Sequence, residues 1–150
     1  MGGDGKEYWA DGKNWGTVTQ EDAGRWRIEL SPRNPALSDN FLNVIQVMDA
    51  QPAPKPFPIS KSYASKGEFV AVSISNRIVA QQLSLDRTKN EIEFAIGNAG
   101  KDYDVLVTDL KSGSWLVGSA SGNIRVTVSE DSGTAYFKSK GGMFTLKFEN

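Results

Sequence analysis

The sequence predicts an all-β fold, an antiparallel β-sandwich of about ten short strands. Three observations predict it. Apolar residues recur with period two along most of the chain, the spacing of a pleated strand with one buried face. Turn-forming residues punctuate these runs at short intervals. The intervening segments leave no room for the crossover helices that long parallel connections use.

The strands follow in order. Arg25 to Leu30 places Trp26, Ile28 and Leu30 on one face and Arg25, Arg27 and Glu29 on the other. Leu37, Phe41, Ile45 and Met48 would fit a helical stripe, but Phe41 to Met48 is β-branched and apolar on both faces. It reads as a buried strand. Glu68 to Ser75 is apolar on both faces and reads as central. Arg77 to Leu85 carries Ile78, Val79, Leu83 and Leu85. Ile92, Phe94 and Ile96 alternate with Glu91, Glu93 and Ala95, and Tyr103, Val105 and Val107 with Asp104, Leu106 and Thr108. A short strand surrounds Trp115. Ile124, Val126 and Val128 alternate with Arg125, Thr127 and Ser129. Ala135 to Lys138 and Met143 to Glu149 complete the set, with Phe144, Leu146 and Phe148 on one face. Ser75-Asn76, Gly97 to Gly100, Lys111 to Gly113, Ser121 to Asn123, Asp131 to Gly133 and Gly141-Gly142 supply turns. Gln51 to Pro58 holds four prolines, so it reads as a stiff loop joining two sheets.

The 150 residues read as one sandwich domain, with residues 1–5 a loose or non-native start. Lys+Arg is 17 and Asp+Glu is 18, a net charge of -1, which argues against a nucleic-acid partner. No run approaches a membrane span. There are no cysteines, which excludes disulfides, thiolate metal sites and thiol catalysis. There are no histidines, the commonest general base and metal ligand.

What remains is thin for catalysis. No histidine can activate a serine, though Ser60-Lys61-Ser62 and Ser139-Lys140 leave a Ser–Lys dyad open. Asp102 and Asp104, or Glu91 and Glu93, read as solvated strand faces rather than a glycosidase pair. Asp102 to Asp104 and Glu130-Asp131 lack the spacing of a calcium loop. Gly97 to Lys101 reads as a hairpin turn rather than a phosphate cradle. The aromatics are richer. Trp9 and Trp15 flank Asp11-Gly12-Lys13-Asn14, and Trp115 sits in a short strand. These indoles suit packing, an interdomain contact or a sugar face. Arg25 and Arg27 are candidate partners for acidic groups.

Gly5-Lys6-Glu7-Tyr8-Trp9, Asp11-Gly12-Lys13-Asn14-Trp15, Gly24-Arg25-Trp26-Arg27-Ile28-Glu29-Leu30-Ser31-Pro32 and Phe41-Leu42-Asn43-Val44-Ile45-Gln46-Val47 together form a pattern over roughly residues 3–50. This pattern resembles the C-terminal β-sandwich domain of heparinase II/III-like polysaccharide lyases. The resemblance implies an accessory domain that carries none of the family's catalytic Tyr and His motifs and braces the catalytic domains of a parent chain; the residues themselves call for no cofactor or metal. It further implies a monomeric fragment, contact with acidic, uronate-containing polysaccharide such as a glycosaminoglycan, and a parent in the periplasm or outside the cell. Trp9, Trp15, Trp115, Arg25 and Arg27 are the candidate glycan or interdomain contacts. A stand-alone carbohydrate-binding module is the alternative. A self-sufficient enzyme built on carboxylates or Ser–Lys is the third.

Overall fold

The structure, a computed structural model, describes residues 9–10, 13–14, 30–32, 34, 37, 39–48 and 55–149. The chain divides into two compact units, Met1–Phe41 and Leu42–Asn150. In the first, β1 (Trp9–Ala10) pairs antiparallel with β2 (Lys13–Asn14), Ala10 opposite Lys13. That register leaves Asp11-Gly12 between them, the dipeptide that two-residue hairpin loops favour. The predicted strand over Arg25 to Leu30 lies outside the described residues, apart from an exposed Leu30.

The second unit is a sandwich of two sheets. One has the order β10-β7-β5-β4-β3 and the other β6-β11-β8-β9. Their strands are β3 (Ile59–Tyr63), β4 (Phe69–Ile74), β5 (Arg77–Gln82), β6 (Ile92–Ile96), β7 (Asp102–Val107), β8 (Gly113–Ser119), β9 (Gly122–Val128), β10 (Ala135–Lys140) and β11 (Gly142–Glu149). The alternation read from sequence sets the buried faces. Ile78 and Ala80, Tyr103, Val105 and Val107, and Ala135 and Phe137 turn inward from the first sheet. Ile92, Phe94 and Ile96, Trp115 and Val117, and Phe144 and Leu146 turn inward from the second. Phe144 stacks on Phe94 at 5.2 Å between ring centroids and tilts against Phe137 at 6.1 Å. Such contacts stabilise a core beyond the apolar area they bury. β4 is interior and buried on both faces, as its composition predicts.

Four features depart from the sequence reading. Phe41 to Met48 is not a strand, and Ile45 and Val47 are 85% and 94% exposed. The Gln46 side-chain amide both donates to the Phe57 carbonyl (3.0 Å) and accepts from the Phe57 N–H (2.9 Å). One side chain thus supplies the rung that a neighbouring strand would have made. Pro56 and Pro58, on either side of Phe57, have no N–H to extend a ladder there. The second departure is β3, an edge strand whose mixed composition gives little periodic signal. Third, β5 and β7 pair in parallel, Ile78 opposite Val105. The crossover that parallel pairing demands is β6, a strand of the facing sheet rather than a helix. For the same reason Gly97 to Lys101 is no hairpin turn, since it carries the chain from one sheet to the other. Fourth, the inward row of β9 is well buried only at Val128, and Ile124 lies exposed near the other end.

Turn geometry requires glycine most clearly at Gly141. A Cβ there would meet the Asn98 nitrogen and the Gly97 carbonyl carbon at 2.6 Å. The β10–β11 turn therefore packs directly on the backbone of the intersheet connection.

Candidate functional site

The residues predicted to contact glycan or another domain have varied fates. Trp15, Arg25 and Arg27 lie outside the described residues, and Trp9 is described only as backbone in β1. Trp115 is corrected. It is 0% exposed, its indole N–H donates to the Lys111 carbonyl at 2.9 Å, and its ring meets Phe148 edge-on at 5.4 Å. An indole enclosed in this way cannot stack on a sugar. Alternation within β8 turns Trp115 to the inner face, and a large ring at that position fills the core.

The surfaces considered for chemistry are structural. Successive residues in a strand point to opposite faces, so the neighbours in Ser60-Lys61-Ser62 and Ser139-Lys140 are kept apart. Lys61 reaches the Tyr63 hydroxyl at 3.4 Å and lies 5.1 Å from its ring centroid. Ser139 is buried, donates to the Lys140 carbonyl at 3.0 Å and lies 3.2 Å from Ser121 Oγ. Glu91 is held below the usual carboxylate range, first by its bond to Lys66 and then by Lys147, each at 3.4 Å. Asp104 is lowered chiefly by the hydrogen bond from Tyr136 (2.7 Å), with Lys138 at 3.7 Å adding to it. The Tyr136 phenol is correspondingly raised. A general acid needs the opposite shift for its carboxyl. Lys101 Nζ donates to the Ser75 carbonyl at 2.6 Å and so is not free to cradle a phosphate. Among the described residues no group of three or more His, Cys, Asp or Glu could hold a metal ion.

Two surfaces carry more information. The first is the outward face of the five-stranded sheet. The register sets Lys61, Val72, Val79, Leu106 and Tyr136 in one row across all five strands. The next row is Ile59, Ile74, Arg77, Asp104 and Lys138. Tyr63 and Tyr136, on the two edge strands, are 62% and 58% exposed, and Ile59 on β3 and Val79 on β5 are exposed as well. The first row is apolar except for Lys61, where a free-standing sheet normally shows a polar face, and the second mixes apolar and charged residues. Sequence reasoning passed over Tyr63 and Tyr136. The signal was available for Tyr136, which sits between the inward positions Ala135 and Phe137.

The second surface is a cleft of about 400 Å³ at one end of the sandwich, lined by Glu68, Gln82, Ser84, Asp86, Arg87 and Asn90 among others. Its one sequence signal is Gln82, an amide continuing the inward row Ile78, Ala80.

The heparinase II C-terminal domain family matches residues 63–148, from the last residue of β3 to the penultimate residue of β11. That stretch differs from residues 3–50, where the motif resemblance lies. No curated protein matches the chain.

Proposed function

The chain belongs to the heparinase II C-terminal domain family, and we propose that it is the non-catalytic accessory domain of a heparinase II/III-like polysaccharide lyase, bracing the catalytic domains of its parent chain. The observation that carries this reading is the outward face of the five-stranded sheet. Exposed Ile59, Tyr63, Val79 and Tyr136 put apolar and aromatic surface on a face open to solvent. The mixed row of Arg77, Asp104 and Lys138 beside them suits the polar rim of an interdomain contact. The absence of histidine from the sequence supports a role without acid–base chemistry of the lyase kind. Contact with uronate-containing polysaccharide at the edge of the parent's cleft belongs to the same reading, with Lys61, Arg77 and the Asp104-paired Lys138 the cations on that face.

The test has two arms. The isolated chain is incubated with heparin, heparan sulfate, chondroitin sulfate and alginate while the ultraviolet absorbance of unsaturated uronate is followed. No rise is expected, and turnover by this chain alone would overturn the reading. In the second arm the chain is added to a heparinase II/III-like lyase lacking its own C-terminal domain. The expected result is a higher melting temperature for the lyase fragment, lost with Val79→Glu. A charged side chain at the centre of the apolar row must be desolvated on docking. No stabilisation by the unsubstituted chain would count against bracing.

A further inference from the structure

We propose that the cleft at Gln82 is a binding site for a neutral, hydroxyl-rich ligand, of the chemistry of a single unsulfated sugar unit. Gln82 occupies the third inward position of β5, opposite Phe69, where the inward rows of β4 and β10 end in the small serines Ser73 and Ser139 and the core between is apolar. It is only 8% exposed. Its Nε2 donates to Ser84 Oγ, while its Oε1 has no hydrogen-bond donor among the described residues. A buried carbonyl without a donor costs stability, and natural folds keep such groups rarely and with reason. Here the same amide lines an open cleft of about 400 Å³, within the size range of small-molecule sites. The terminal torsion of a glutamine is broad and roughly two-fold, so the oxygen can turn toward an entering hydroxyl without moving the strand, Nε2 giving up Ser84 as it does so.

The walls are fixed before any ligand arrives. The Thr88 N–H donates to the Asp109 carbonyl and the Thr88 carbonyl accepts from the Lys111 N–H, both at 2.9 Å. The Thr88 hydroxyl accepts from the Asn90 N–H at 2.9 Å. Asp109, at φ 62°, accepts from the Thr108 hydroxyl at 2.6 Å and from the Gln82 N–H at 3.4 Å. Arg87 donates to the carbonyls of Glu130 and Asp131. Gly133 makes room for this, because a Cβ there would lie 2.5 Å from the guanidinium. Preorganised walls lower the ordering cost of binding.

The lining selects the ligand. Glu68 and Asp86 bring two carboxylates, and Arg87 already spends donors on backbone carbonyls, so a uronate or sulfate meets net repulsion. A divalent cation lacks its usual set of acidic ligands, since no cluster of three occurs among the described residues. The carboxylates of Glu68 and Asp86 accept and the amides of Gln82 and Asn90 both accept and donate, so the lining suits an uncharged ligand that brings donors and acceptors together. Sugar hydroxyls do so.

The site stands on its own observations, and its failure leaves the bracing role untouched. The experiment is a titration of the 15N-labelled chain with glucose, galactose, mannose and N-acetylglucosamine, with glucuronate and calcium chloride as comparison arms. At least one neutral sugar should shift the Gln82 side-chain amide and the backbone amides of Ser84, Thr88 and Asn90, saturating in the millimolar range. Gln82→Leu should weaken that binding about tenfold, the factor one lost hydrogen bond supplies. Asn90→Ala, which leaves the Asn90 backbone bond to Thr88 in place, should weaken it independently. Saturable shifts that both variants retain unchanged would overturn the proposal. So would shifts produced by glucuronate or calcium alone, or no shift from any neutral sugar at tens of millimolar.

Discussion

Trp115→Phe is the sharpest measure of whether this indole belongs to the core or to a ligand surface. Trp115 is fully buried, bonded to the Lys111 carbonyl and packed edge-on against Phe148. The smaller ring leaves a space of roughly 40 Å³, which at ~24 cal/mol per Å³ costs about 1 kcal/mol. The lost indole hydrogen bond adds about 1 kcal/mol. The sum is about 2 kcal/mol, within the usual range for a single core substitution. With a urea dependence of ~1.5 kcal/mol per molar for a domain of this size, the midpoint of urea unfolding should fall by a little over 1 M. Trp115→Ala should cost about 4 kcal/mol by the same reasoning. Equilibrium unfolding followed by far-ultraviolet circular dichroism measures both. A Trp115→Phe midpoint within about 0.3 M of the parent, or a loss of sugar binding with no loss of stability, would refute the placement of this ring.

Other substitutions probe other links in the argument. Gly141→Ala forces a methyl against the Asn98 and Gly97 backbone, which cannot rotate away as a side chain would. A loss of about 2 kcal/mol in chemical denaturation is expected, and a neutral result would contradict the packing of the β10–β11 turn. Gln46→Leu removes both bonds to Phe57. Proteolysis should then cut faster within 44–48 while the global unfolding midpoint stays put, since local opening is separable from global unfolding. Glu91, Asp104 and Glu149 all titrate lower in the folded chain than their ordinary values of 4.5, 3.8 and 4.5, the last mainly through Arg125. The stability they contribute is complete above those values and is lost as pH falls through their lowered folded values. With no histidine in the chain, the unfolding midpoint should be flat between about pH 6 and pH 8 and drop only in acid. An equal midpoint at about pH 3 and pH 7 would contradict the ion pairs described.

Much of the sandwich was legible because burial on one face writes itself as period two. Phe94, Val105, Val117 and Phe144 each sit where the alternation places them. The reading failed where a different force decides. Val44, Ile45 and Val47 have strand-forming side chains, yet a strand needs a neighbour with free amides, and the proline-bracketed Phe57 offers one rung that a side chain already takes. The parallel pairing of β5 with β7 left no trace, because the crossover is itself an alternating strand. The site is harder still. A tryptophan draws attention by its chemistry, but its face is set by register, and Trp115 faces inward. Tyr136 and Gln82 became informative only once the inner rows were known. The family pattern was visible over residues 3–50, whereas the family match rests on 63–148, where the sandwich itself is encoded.

The position of β11 has a consequence for how the molecule is made. It is hydrogen-bonded on one side to β6 and on the other to β8, which do not pair with each other. During synthesis, therefore, β6 must wait with an unfilled edge for about fifty residues until Leu146 can meet Ile92. Pairings so distant along the chain close slowly, so folding should fall at the millisecond-to-second end of the range for small domains. On the ribosome the four-stranded layer stays in two pieces until this strand has cleared the exit tunnel. A nascent chain stalled before Gly142 should therefore expose Phe94 and Trp115 to any chaperone that reads apolar sequence.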